Sequence, residues 1–191
     1  LLGPTASGKT DMAIELAKDF NAEIISADSR LIYKKMDIGT AKPKDFKGIK
    51  HHLIDIINPE DEYNVALFKR DAQKAINDIL KKGKTPFLVG GTGLYISAIV
   101  NNIDFPEIKP DLKLRKELEK KSDEELFEIY KGLDKEGAEI IDKKNKRSLI
   151  RAIEVAQTRN FFKDTKNEPE FDILELGIEV QKEELKKRIE K

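Results

Sequence analysis

The sequence predicts a three-layer α/β domain on a parallel sheet, carrying a mainly helical insertion. Three observations lead there. Apolar runs of strand length alternate with amphipathic helical segments through the first half of the chain, the pattern of a parallel sheet covered on both faces. Two of those runs end in polar or glycine-rich clusters, where the carboxyl ends of parallel strands place their ligands. From about Asp111 to Glu154 the texture changes to charged helices.

Leu1-Leu2 read as the end of a buried strand, followed by GPTASGKT at residues 3–10. Gly3, four residues, then Gly8-Lys9-Thr10 is the spacing of a P-loop, in which backbone N–H groups cradle phosphate oxygens. The full loop is Gly3, Pro4, Thr5, Ala6, Ser7, Gly8, Lys9 and Thr10: Lys9 adds a point charge, and the Thr10 hydroxyl is placed to reach a magnesium ion. The motif does not report what the diphosphate is attached to. Ala13, Leu16, Ala17 and Phe20 recur at helical spacing behind it, so a helix opens towards the same anion.

Glu23–Ala27 reads as a second buried strand ending at Asp28-Ser29-Arg30, beside the P-loop. Residues 33–43 lack periodicity and carry breakers at Gly39 and Pro43, which predicts a long loop. His52–Ile57 reads as a short strand stopped by Asn58-Pro59. Val65, Phe68, Ala72, Ile76 and Leu80 predict an amphipathic helix over 64–80. Residues 85–89 form a further strand running into Gly90-Gly91-Thr92-Gly93. The helical stretch is expected to break at Gly132 and turn at residues 143–145. Residues 163–170 are polar and turn-prone, 173–178 return as a strand, and a helix starts at Lys182. The expected organisation is a P-loop NTPase-like α/β core from 1–104 and 146–191, incomplete at its C-terminal end, with 105–145 as a helical lid.

The 191 residues carry 36 basic and 36 acidic side chains, so net charge gives no argument for nucleic-acid binding, although a local basic face is compatible with it. Without cysteine there are no disulfides or thiolate metal sites within this span, which fits a reducing compartment. No apolar run approaches membrane-spanning length and no signal peptide is visible. The start inside a strand, without Met, leads us to expect that these are not the termini of the whole protein.

Several residues have more than one reading on spacing alone. Asp28 fits a helix N-cap, a magnesium ligand or a general base. Gly90-Gly91 fits a tight turn or a ligand loop. Arg147 and Arg151, one helical turn apart, fit a solvated face or an anion site. His51 and His52, with no Cys or acidic triad nearby in sequence, read as structural.

Taken together, GPTASGKT, ISADSRLIYKKMDIGTAKP (25–43), HHLIDI (51–56), FKRDAQKAI (68–76), PFLVGGTGLY (86–95) and RSLIRAIEV (147–155) resemble the tRNA dimethylallyltransferase family, in this order over nearly the whole chain. The resemblance implies transfer of a prenyl group from dimethylallyl diphosphate to N6 of the adenosine 3′-adjacent to the anticodon of tRNA, with Mg²⁺. It implies Asp28 as general base, Thr92 near the bridging oxygen of the diphosphate, and Lys9 and the P-loop on the leaving group. It further implies tRNA contacts at Asp28, Ser29, Arg30, Leu31, Thr92, Arg115, Arg147, Ser148, Leu149, Ile150 and Arg151, and a cytoplasmic monomer acting on the anticodon stem-loop. Leu31 stands where many relatives have Gln, Lys35 where Gly is common, and Ser148 interrupts what is often an Arg pair. Thr158-Arg159-Asn160 lacks the usual Gly turn. The competing readings are a small-molecule P-loop kinase, against which the sparse Arg between Leu53 and Lys146 argues, an adenylate isopentenyltransferase acting on free nucleotide, and a non-catalytic nucleotide-binding module.

Overall fold

The computed structural model describes residues 1–190 except Gly39, Ala41, Lys44, Pro106, Glu107, Lys109 and 159–166. The expected break at Gly39, residues 159–160, where the usual Gly turn is lacking, and residues 163–166 of the polar loop lie outside the described residues. The chain divides into two compact units, 1–103 with 166–191, and 104–165.

The first unit is built on β1 (Ala22–Ala27), β2 (His51–His52) and β3 (Thr85–Gly90), all parallel, in the order β2-β1-β3. Every residue of β1 is buried, as expected of a central parallel strand covered on both faces. Alternation along it divides the core into two layers. Ile25 and Ala27 face α2 (Val65–Lys81) and α3 (Gly93–Val100), with Phe68, Ala72, Ile76, Ile79, Tyr95 and Ile99 in the same cluster. Ala22 and Ile24 face α1 (Lys9–Asp19) through Ala13, Ile14 and Ala17, with Val89 beside them. This is the three-layer α/β arrangement.

Helix α2 starts where Asn64 caps it, its side-chain oxygen accepting from the N–H groups of Ala66 and Leu67 at 3.0 and 3.1 Å. Phe68, Ala72 and Ile76 of the expected face are buried; at its end Ile79 is buried in place of Leu80, which is exposed. In α1 the buried face is Ala13, Ile14 and Ala17, and Phe20, just past its end, is exposed.

Three expected strands are shorter than the apolar runs suggest. Leu1-Leu2 is reduced to bridge pairs of Leu2 with Gly90 and Gly177, and 173–178 contributes only Gly177. The run His52–Ile57 leaves the sheet after His52, because Leu53 and Asp55 take positive φ values of 60° and 55°. Such left-handed residues cannot continue a pleat. The run instead packs beneath Leu31–Lys34, with Tyr33 and Ile57 paired as an isolated bridge.

A buried carboxylate secures the end of β1 away from the P-loop. Glu23 accepts from Lys84 at 3.0 Å and Lys82 at 3.2 Å and lies 2.7 Å from His52 Nε2. His51 uses Nδ1 on the Ile49 carbonyl at 2.9 Å and stacks near Phe46. Both histidines are thus part of the packing of this edge.

The second unit is helical: α4 (Leu112–Leu118), α5 (Asp123–Leu133), α6 (Lys135–Ile140) and α7 (Lys146–Thr158). Ser122 and Glu125 form a reciprocal capping box at the start of α5. Gly132 does not break α5; the helix runs through it and stops at Asp134, whose side chain caps α6 through the Gly137 N–H. The core consists of Leu118, Leu126, Tyr130, Ala138, Leu149, Ile150 and Ile153. The sequence-based boundary at 145/146 therefore shifts: α7 presents Leu149, Ile150 and Ile153 to α4 and α5 and belongs with them rather than with the α/β unit. Helix α8 (Lys182–Ile189) lies in the first unit. Among the described residues, no helix is long and apolar enough to cross a membrane.

Candidate functional site

The P-loop leaves the sheet at Leu2, held on one side by Leu2 N–H to Leu176 O and Ile178 N–H to Leu2 O, both 2.8 Å, and on the other by Gly90 N–H to Leu1 O at 3.3 Å. Ala6 and Gly8 take φ values of +62° and +87°, which turn the chain back on itself before α1. For Ala6, a residue with a Cβ, this is a strained conformation of the kind kept at binding sites. Gly8 is the N-cap of α1 and has no side chain to satisfy the first amides, which leaves them able to take an anion as partner. Lys9 Nζ donates to Pro4 O at 2.6 Å, folding the ammonium over its own loop.

Thr92 ties the ends of β1 and β3 together. Its N–H donates to Ala27 O at 3.2 Å, and its Oγ1 accepts from the Ser29 N–H at 3.0 Å. Gly90 makes this approach possible, since a Cβ there would run into the Ala27 carbonyl. Gly90→Ala is accordingly expected to lower stability by about 1–3 kcal/mol through overpacking. Gly93→Ala, where a Cβ meets nothing within 4 Å, is the control expected to stay within about 0.5 kcal/mol. Thermal and urea denaturation of both variants measures the difference.

Asp28 stands at the end of β1, partly exposed, its Oδ1 accepting from the Arg30 N–H at 2.9 Å in a local turn. No helix follows, so it is not a helix N-cap. Burial pushes the Lys9 ammonium below its ordinary value and the charge of the Asp28 carboxylate opposes that shift, so the two groups are near enough to interact electrostatically. Tyr95, one turn into α3 and stacked on Phe68 at 4.1 Å, also feels Asp28: burial raises its phenol, and Tyr33 and Asp28 raise it further. The apolar run of α3 signals only packing, and the sequence reading assigned Tyr95 no role. It also overlooked Arg188, whose guanidinium reaches Ala6 O at 3.4 Å from α8 and pairs with Glu184. The sequence offers no signal for Arg188 beyond being one cation among many in a charged helix.

A 430 Å³ cavity adjoins the loop, lined by Leu2, Pro4, Gly91, Ile96, Val100 and Glu175 among others. Among the described residues no three His, Asp or Glu side chains converge. Among the described residues a divalent ion would therefore find no cage of carboxylates here; the Thr10 hydroxyl could offer it one oxygen, which suits an ion that keeps water and phosphate ligands.

Arg115, Arg147, Ser148, Leu149, Ile150 and Arg151 all lie in the second unit. Leu149 and Ile150 are 0% and 7% exposed in its core, so their side chains are not presented to a partner. Arg115 and Arg151 converge on Glu154, itself 2% exposed. Arg115 donates to both its oxygens at 3.0 and 2.7 Å, Arg151 NH1 to Oε2, and the Asp111 N–H to Oε1 at 2.6 Å. Arg151 NH2 also donates to Ile108 O at 3.1 Å. These arginines tie α4 and α7 together. Arg147 and Ser148 are exposed at the start of α7. Of the other expected tRNA contacts, Arg30 is exposed, and Ser29, Leu31 and Thr92 are partly exposed around Asp28.

Known proteins align along the whole chain. It is 47% identical over 203 residues to a tRNA dimethylallyltransferase of Acetivibrio thermocellus and 43% identical over 203 residues to one of Caldicellulosiruptor saccharolyticus. All of this chain is covered in both cases, and it spans 65% of the length of each relative. The crystal structure of the tRNA isopentenylpyrophosphate transferase of Bacillus halodurans matches with a TM-score of 0.66 at 36% identity, over 98% of this chain and 61% of that one. A eukaryotic dimethylallyltransferase acting on tRNA matches with a TM-score of 0.68 at 31% identity, over 81% of this chain and 40% of that one. Residues 1–58 match a family model described as isopentenyl transferase. Residues 31–191 match the one described as IPP transferase, and the chain belongs to that family.

Proposed function

We propose that the protein transfers a dimethylallyl group from dimethylallyl diphosphate to N6 of the adenosine 3′-adjacent to the anticodon in tRNA, releasing pyrophosphate. One observation carries this reading. The P-loop that carries Lys9 and the strand end that carries Asp28 are brought together, Leu2 pairing with Gly90 while Thr92 bonds Ala27 O and the Ser29 N–H. Prenyl transfer to an amine needs both charges. The allylic C–O bond breaks as the C–N bond forms, so negative charge gathers on the departing diphosphate while the amine nitrogen becomes acidic. Amides of the P-loop, Lys9 and Arg188 stabilise the first charge; Asp28 accepts the N6 proton, later released to water. Thr92 Oγ1 is positioned at the same strand ends and would donate towards the bridging oxygen. Bound Mg²⁺, held by Thr10 and the phosphates, would supply further neutralisation of the leaving group.

The names of the relatives support tRNA as the acceptor, and the exposed Arg147 and Ser148 are suited to meeting its phosphates. The reading carries with it a monomer in the cytoplasm, where tRNA is modified. It is tested by incubating the intact protein with radiolabelled dimethylallyl diphosphate and unmodified tRNA, and in parallel with free AMP or with γ-labelled ATP and metabolites. Label in the tRNA alone is expected. Label in free nucleotide, or phosphoryl transfer from ATP, would replace this reading with one of its competitors.

A further inference from the structure

The segment that follows Asp28 is held in place from a distance. Leu31–Lys34 lies along Asp55–Ile57 through four backbone bonds: Asp55 N–H to Leu31 O (3.0 Å), Ile56 N–H to Ile32 O (2.8 Å), Ile57 N–H to Ile32 O (3.2 Å) and Lys34 N–H to Ile57 O (2.8 Å). Three of the flanking residues, Lys35, Leu53 and Asp55, hold positive φ, so both strands of this pair are tightly bent. The Lys42 ammonium closes the open end. Its side chain is 8% exposed, and Nζ donates to Tyr33 O at 2.8 Å, to Asp37 at 2.8 Å and to Asp55.

Among the described residues, the Asp28 side chain has the local turn with Arg30, and its neighbour Ser29 is bonded to Thr92 through its N–H and its hydroxyl. Its direction therefore depends on where residues 29–34 are fixed. We infer that Lys42 is a positioning residue for Asp28, stapling Tyr33 to Asp55 so that the turn after β1, and with it the Asp28 carboxylate, is held in one place. This rests on the prenyl-transfer reading above for its catalytic consequence. Lys42 touches no reacting group and acts only through the backbone of Tyr33.

Removal of the ammonium would open the staple without unfolding the unit. The Asp37 and Asp55 side chains are 69% and 46% exposed and return readily to water, and the buried core next to them, Ile32 and Leu53, is unchanged. Small misplacements of a catalytic group cost up to about a hundredfold in rate.

The test compares Lys42→Met and Lys42→Arg in the intact protein, each alone and with Asp28→Asn. For Lys42→Met, kcat is expected to fall by about tenfold or more with KM for the prenyl donor little changed. Lys42→Arg should recover most of the loss, and in the Asp28→Asn background Lys42→Met should add less than about twofold. Amide exchange read by mass spectrometry should accelerate at Lys34, Ile56 and Ile57 in Lys42→Met and stay unchanged in the β1–β3 sheet. Unchanged kcat and unchanged exchange in Lys42→Met would overturn the inference, as would a loss fully additive with Asp28→Asn. Failure of the prenyl-transfer reading looks different, because wild-type protein would then transfer nothing. The exchange measurement judges the staple in that case too.

Discussion

Asp28→Asn is expected to lower the rate of prenyl transfer at saturating substrates by about a hundredfold to ten-thousandfold, the range of general-base removal. Pyrophosphate affinity should stay within about threefold of wild type, because the diphosphate is held by other groups. The substitution is chosen for what it keeps. Asn retains a side-chain oxygen for the Arg30 N–H, which Asp28 Oδ1 now accepts at 2.9 Å, so the turn at the end of β1 survives while basicity is lost. Calorimetric titration with pyrophosphate, beside single-turnover transfer, separates the possibilities. Loss of both would make Asp28 a folding or metal-binding residue, and loss of neither would remove it from the reaction.

Glu154→Gln is expected to destabilise the second unit by about 2–4 kcal/mol. Glu154 is the single carboxylate on which Arg115, Arg151 and the Asp111 amide converge. Breaking a buried ion pair leaves the partner charges desolvated, at a cost of about 3–5 kcal/mol. Here the arginine side chains are 33% and 36% exposed and recover part of their hydration, which places the effect at the lower end. The same pairing sets an acid limit. Burial raises the Glu154 carboxyl, but bonds from Arg115, Arg151 and Asp111 outweigh it and hold the group at about 2, down from 4.5. Glu23 behaves alike: burial raises it, while His52, Lys84 and Lys82 bring it to about 2.

For a carboxylate lowered on folding, the native state binds fewer protons than the unfolded chain. The stabilisation is therefore fully present above pH 4.5 and is lost as the pH falls towards 2. Thermal melts across that window should steepen for the wild type and flatten for Glu154→Gln. A wild-type profile that stays level down to pH 2 would show that these carboxylates are not paired as described.

Much of the fold was legible because parallel sheets impose strong patterns. The largely apolar runs at 22–27 and 85–90 are strands, and the steps of three and four from Phe68 to Ile76 mark the buried face of α2, failing only at Leu80. What misled was apolar sequence without sheet geometry. His52–Ile57 is as apolar as a strand, yet positive φ at Leu53 and Asp55 directs it away from the sheet to pack under Leu31–Lys34, and nothing in the residue types announces that bend.

The P-loop was readable from its glycine spacing and the strand ends bearing Asp28 and Thr92 from where apolar runs stop, whereas the roles given to those two residues came from the family resemblance. The second unit shows where pattern reading stops. Arg115 and Arg151 look like cations for an anionic partner, whereas a buried acid thirty-nine residues from one and three from the other claims them. The pair with Arg115 spans the sequence and leaves no periodic signature, although Arg151 and Glu154 stand at the i,i+3 spacing of a local helical pair. Arg188 was missed for the same reason: its position over the loop is a property of the fold, joining residues 182 apart.

The most direct measurement is the structure of the intact protein with a thio-analogue of the prenyl donor and an anticodon stem-loop RNA. The account predicts the diphosphate on the amides of residues 6–9 and under Lys9, and the Asp28 carboxylate within hydrogen-bonding distance of the adenine N6. A diphosphate bound elsewhere, or an Asp28 side chain turned away from the adenine, would contradict it.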